Sequence, residues 1–203
     1  WSPILFDSYK RDTFRNDFKR VSSFIGMLVF YAVFILILSS PELCLFLGTD
    51  RYADSYVFVG FLSLRAAFEV LARMRGFGPL ISKKTYIFTI TEVICIFAGI
   101  SLLMLFRNKI GLVGIGIAFV VPSILKYMLL TIYTKHYNNI SFHDRDEYLL
   151  IGLSVLSLFI TQFLNIVLIR YAIIVLVSTG FLLLYKKVLF TQVKLLLAKH
   201  TRL

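Results

Sequence analysis

Apolar runs of about 20 residues recur along this chain, and nothing else in the sequence limits the fold so strongly. A run of that length spans the hydrocarbon core of a bilayer when it is helical. The runs are continuously apolar rather than alternating, which argues against the strands of a membrane barrel. The composition agrees: 59% of the 203 residues are hydrophobic, above the roughly 45–50% of soluble domains. The expected fold class is an all-α integral membrane protein with six transmembrane helices.

The expected spans are residues 21–39, 52–73, 84–106, 110–133, 148–169 and 171–187. Residues 1–20 precede them as a basic segment, interfacial helix or solvated linker, holding Lys10, Arg11, Arg15, Lys19 and Arg20. Pro41 is expected to stop the first span, since proline lacks the donor a helix interior needs. The piece ELCLFLG (42–48) that follows is too short to cross. Residues 188–203 alternate basic and apolar side chains and suit an amphipathic helix on the membrane surface. Arg170 alone separates the last two spans, as in a tight helical hairpin. The chain opens on Trp1 rather than Met, without the pattern of a cleavable leader, and is expected to be a piece of a longer protein.

The formal net charge of +11 is not read as a nucleic-acid signal, because the cations cluster between the apolar runs. If both ends lie on one side, segments 1–20, 73–84, 134–147 and 186–203 carry 16 Lys and Arg, against 4 in the opposite segments. That bias places both ends in the cytoplasm. Anionic lipid head groups are the expected contacts of these basic segments.

Two cations and two carboxylates then stand inside spans. Charge at membrane depth is costly and marks a cavity or an internal pair. Arg65, Glu69 and Arg73 follow at i, i+4 and i+8 on one helix face. Arg65 lies about 12 Å deeper than Arg73, at 1.5 Å per residue. Arg65 is read as a contact for an anionic substrate, since a guanidinium grips phosphate oxygens in pairs. Arg73 is read as an interfacial anchor or a second such contact, and Glu69 as a partner of either arginine. Glu92 is a proton or sodium site, or the structural partner of Arg65 or Lys126. Lys126, a turn after Pro122, is a further substrate contact or the partner of Glu92.

Other features point to structure. Gly111, Gly114, Gly116 and Ala118 are read as a close-packing stripe. His136 and His143 with Asp144, Asp146 and Glu147 are read as a solvated loop and not as a metal site. Cys44 and Cys95 belong to no metal or disulfide pattern. No nucleophile–base pair or nucleotide loop emerges, so no enzyme and no cofactor is expected.

Taken in order, these features resemble the C-terminal half of polysaccharide flippases of the O-antigen (Wzx-like) type, within the multidrug/oligosaccharidyl-lipid/polysaccharide exporter superfamily. The likeness rests on Trp1, Ser2 and Pro3; on SSPELCLFLGTDRYADSYVFVGFLSL (39–64), with Pro41, Gly48 and Tyr52; and on KKT (83–85) and IGLVGIGIAF (110–119). It covers nearly the whole chain, with loose motifs. One departure is VICIFAGIS (93–101), where family members often carry an Asn-rich segment. The resemblance implies a MATE-like transporter of about twelve to fourteen spans. This chain would be its second lobe and final hairpin, partnered by an N-terminal lobe, in the bacterial inner membrane. It also implies an undecaprenyl-pyrophosphate-linked oligosaccharide as substrate and a cationic cavity, to which depth and charge assign Arg65, Lys126 and Arg73. Two other readings stand beside it: a small-molecule or drug antiporter of the same superfamily, and a non-transporting six-span scaffold.

Overall fold

A computed structural model of the chain describes residues 14–48, 55–138, 140, 145–163 and 167–200. Their regular structure is entirely helical: α1 (Phe14–Leu47), α2 (Tyr56–Arg75), α3 (Phe77–Ile81), α4 (Tyr86–Ile110), α5 (Leu112–Asn138), α6 (Arg145–Phe163) and α7 (Val167–His200). Three stretches are long and apolar enough to cross a membrane: Phe18–Leu47, Tyr86–Phe106 and Leu112–Tyr137. The chain is thus an all-α protein with the helices of a membrane protein. Helix α2 has 20 residues, but Arg65, Glu69, Arg73 and Arg75 dilute its apolar character. The apolar part of α7, Val167–Leu183, is shorter.

The described residues divide into two compact units, one that ends at Phe163 and one that begins at Val167. In the first unit α2 is central. It packs principally on α5 and α1; α1 also packs on α6, and α4 lies along α5. The core on α2 is Phe61, Leu64, Ala67, Phe68, Leu71 and Ala72, all buried. Phe68 meets Phe30 of α1 edge-on at 5.1 Å and Tyr127 of α5 at 5.8 Å. One end of this unit gathers the start of α1, the end of α2, α3, the start of α4, the end of α5 and the start of α6. Three contacts show it: Phe18 to Phe77 at 5.8 Å, Lys84 over the Tyr137 ring at 4.1 Å, and Arg75 to Glu147 at 2.6 Å.

The expected stop at Pro41 does not occur: α1 runs on through it to Leu47. Proline deprives the carbonyl of Ile37, four residues back, of its N–H partner. That carbonyl instead accepts the Ser40 hydroxyl at 2.7 Å and, from α6, the Thr161 hydroxyl at 3.4 Å. With the orphaned acceptor satisfied, the helix continues. Residues 14–20 are the first turns of the same helix, and residues 1–13 lie outside the described residues. Arg170 does not form the last turn; it lies within α7, which follows residues 164–166, themselves outside the description. The backbone of α7 continues helically through residues 188–200, where a separate tail helix was expected.

The turn between α4 and α5 falls at Gly111 rather than at residues 107–109. Its φ of 62° with ψ of −135° is open to glycine alone. The small residues after it permit close approach. A Cβ on Gly114 would stand 2.7 Å from the Phe106 carbonyl oxygen, and one on Gly116 would overlap the Phe61 ring. Gly116→Val is therefore expected to destabilise the α2–α5 contact by about 1–3 kcal/mol, the usual cost of overpacking. Phe61→Ala in the same chain should recover part of that loss, whereas the two costs would simply add if Gly116 did not face Phe61. Thermal unfolding of the single and double variants distinguishes the two outcomes.

Candidate charged site

Three helices bring the charges expected inside spans to one place. On α2 the i, i+4 spacing aligns Arg65 and Glu69. Helix α4 contributes Glu92 and, one turn on, Cys95. Helix α5 supplies Lys126, a turn after Pro122. Between them opens a cleft of about 270 Å³, mostly apolar in its lining, with Arg65, Glu69, Glu92 and Cys95 among the residues that face it and Phe119 among the apolar ones.

Lys126 is buried, its side chain 10% exposed, and is clasped by both carboxylates. Its Nζ donates to Glu69 Oε2 at 2.9 Å and to Glu92 Oε1. Glu69 is 27% exposed and Glu92 49%, so water reaches Glu92 most easily. The pairing crosses 57 residues in one case and 34 in the other. Glu69 thus pairs with neither Arg65 nor Arg73. Of the roles open to Glu92 and Lys126, the structure realises their mutual pairing.

Arg65 is disposed differently. Its guanidinium lies over the Phe119 ring at 5.2 Å, and among the described residues no carboxylate is within ion-pair distance of it. Cation–π contact holds the side chain in place without neutralising it. Arg65 is therefore the cleft's cation without a direct carboxylate partner among the described residues. Arg73, the third member of the stripe, is exposed and does not line the cleft. Lys126 with its two carboxylates carries one net negative charge, so that the four charged groups, Arg65, Lys126, Glu69 and Glu92, sum to zero.

A second charged cluster was not foreseen. Arg75, fully buried, donates through one nitrogen to both oxygens of Glu147 at 2.7 and 2.6 Å. The Tyr127 hydroxyl stands 3.3 Å from the same carboxylate, and the Arg75 guanidinium lies 5.8 Å from the Tyr127 ring. The Thr134 hydroxyl donates to the Arg75 carbonyl. Gly26 of α1 leaves room for the carboxylate: a Cβ there would come within 3.2 Å of Glu147 Cδ. Glu147, read from the sequence as part of a solvated loop, is thus a buried anchor at the start of α6. One signal was available. Arg75 lies about 200° around the helix from Arg73, so it points away from the charged stripe.

His136 lies edge-on to Tyr137 at 5.0 Å, while His143 and Asp144 lie outside the described residues. Among the described residues no group of three or more His, Cys, Asp or Glu could hold a metal ion. Comparison of the chain with protein-family models, with curated proteins and with solved structures returns no match.

Proposed function

We propose that this chain is the second lobe of a transporter that moves an undecaprenyl-pyrophosphate-linked oligosaccharide across the bacterial inner membrane, for surface polysaccharide synthesis. The observation that carries the reading is Arg65, held over Phe119 in an open cleft with no carboxylate partner among the described residues. A pyrophosphate offers the paired oxygens that a guanidinium binds best. In this reading α1, α2, α4, α5, α6 and α7 are the six spans, and an N-terminal lobe faces the cleft. The end that gathers Lys19, Arg20, Arg73, Lys83, Lys84, Lys135 and Arg145 faces the cytoplasm, as the positive-inside bias requires. The role is transport and not catalysis. Export of small cationic compounds is the second reading, favoured by the two carboxylates in the cleft; Lys126 already engages both, which leaves them weak as sites for a foreign cation.

Arg65→Ala in the full protein tests the proposal. Surface polysaccharide should be lost while the protein stays at normal abundance, because Arg65 carries no ion pair among the described residues. Unchanged polysaccharide would refute the assignment, and loss of the protein itself would mark Arg65 as structural.

A further inference from the structure

Helix α6 has two unlike faces. Glu147, Leu150, Ser154, Ser157 and Thr161 are buried. They turn inward: Glu147 meets Arg75 of α2, while the Ser154 and Thr161 hydroxyls donate to the Phe30 and Ile37 carbonyls of α1. The opposite face carries Arg145, Tyr148, Leu149, Gly152, Leu153 and Leu156, at i, i+3, i+4, i+7, i+8 and i+11. Among the described residues these line a groove of about 670 Å³, within the roughly 300–1,000 Å³ of ligand sites. Gly152 forms part of its floor. Glycine inside a helix costs stability, and no close approach requires one here, because a Cβ at 152 would meet nothing within 4 Å. What the missing side chain provides is depth on the outer face.

One end of the groove is charged and the rest is apolar. Arg145 is exposed and takes part in no ion pair among the described residues. Among those residues no carboxylate lines the groove: Glu147 is turned to Arg75, and Asp146 lies off the stripe. Tyr148, next along the stripe, is the aromatic type found at membrane interfaces. From Arg145 to Leu156 the stripe runs about 16 Å at 1.5 Å per residue. One leaflet of the hydrocarbon core is about 15 Å deep, half of its ~30 Å thickness. We propose that this face of α6 is a site for one anionic phospholipid of the leaflet at the Arg145 end. Its phosphate sits on the Arg145 guanidinium, and an acyl chain lies along Leu149, Gly152 and Leu156. A guanidinium binds phosphate oxygens in pairs, whereas the amine of a zwitterionic head group would find no carboxylate among the described lining residues. The inference rests on the reading of α6 as a span, and not on what the cleft carries.

The test uses the purified full protein in nanodiscs that contain phosphatidylglycerol or phosphatidylcholine with a photoactivatable acyl chain, and mass spectrometry locates the label. The wild-type protein should be labelled within residues 145–156, about fivefold more by phosphatidylglycerol than by phosphatidylcholine, the preference that one arginine near the surface confers. Arg145→Ala should bring phosphatidylglycerol labelling down to the phosphatidylcholine level. Gly152→Leu fills the groove without a clash at its Cβ and should lower labelling by both lipids. Equal labelling of the wild type by the two lipids, or unchanged labelling in Gly152→Leu, would overturn the proposal while leaving α6 in the membrane. Absence of label from the whole of α6 would overturn it together with the reading of α6 as a span. A cross-link between two copies of the chain through this face would also overturn it, in favour of a dimer interface. None of these results bears on Arg65.

Discussion

Glu147→Ala is expected to destabilise the protein by about 3–5 kcal/mol, the cost of leaving a buried charge without its partner. Arg75 has no exposed surface, and its guanidinium is held against the Glu147 carboxylate at 2.6 Å. Water does not reach it, so the loss of Glu147 is not offset by hydration. The pair also ties the end of α2 to the start of α6, and Tyr127 extends the contact to α5. Arg75→Leu should cost a similar amount, with Glu147 then the stranded charge. The double variant Arg75→Leu/Glu147→Leu should recover most of the loss, since a buried ion pair often exchanges for apolar groups at little cost. For a chain of this size the single variants should lower the melting midpoint by about 6–20 °C. If Glu147→Ala shifts it by less than about 2 °C, the pair is not the anchor described here.

Lys126→Met should destabilise by about 2–3 kcal/mol. The lower figure follows from exposure: Glu69 and Glu92 are 27% and 49% accessible, so water compensates part of their stranded charge. Two like charges remain facing one another across the cleft, with nothing between them. Replacing both by glutamine in the same chain removes the repulsion and should restore most of the stability. Failure of the triple variant to recover would show that Lys126 stabilises through its alkyl chain instead. Chemical denaturation of the purified protein measures each term.

The residues of the cleft were visible in the sequence one at a time, as charges inside apolar runs. Their pairing was not. Helical spacing states which side chains share a face, and it placed Arg65 and Glu69 together correctly. It is silent about which distant helix meets that face, and Lys126 lies 57 residues from the carboxylate it binds. Glu69 was therefore assigned to a neighbouring arginine on its own helix, whereas the structure uses it on α5. Arg75 and Glu147 were hidden for the same reason, at a separation of 72 residues, and because each stood among residues that look like a loop. Pro41 shows a different limit. Proline removes a donor, a fact local to the residue; whether the helix ends depends on who serves the orphaned carbonyl. Ser40 was adjacent and Thr161 was more than a hundred residues away. The glycines at 114 and 116 were legible as packing positions, because small size in an apolar run has few other uses, whereas Gly111 of the same stripe packs against nothing and makes the turn. The helical class was legible throughout, since length and continuous apolarity are properties of the chain itself.

The claim that matters most is that Arg65 meets an anionic head group. The direct measurement is equilibrium binding of an undecaprenyl-pyrophosphate-linked oligosaccharide to the purified full protein in lipid nanodiscs, for wild type and Arg65→Ala. Loss of a bidentate, charge-assisted contact should weaken binding about 10- to 100-fold. The melting midpoint should stay near that of the wild type, because among the described residues the guanidinium has no ion-pair partner. Equal affinity in the two proteins would contradict the account.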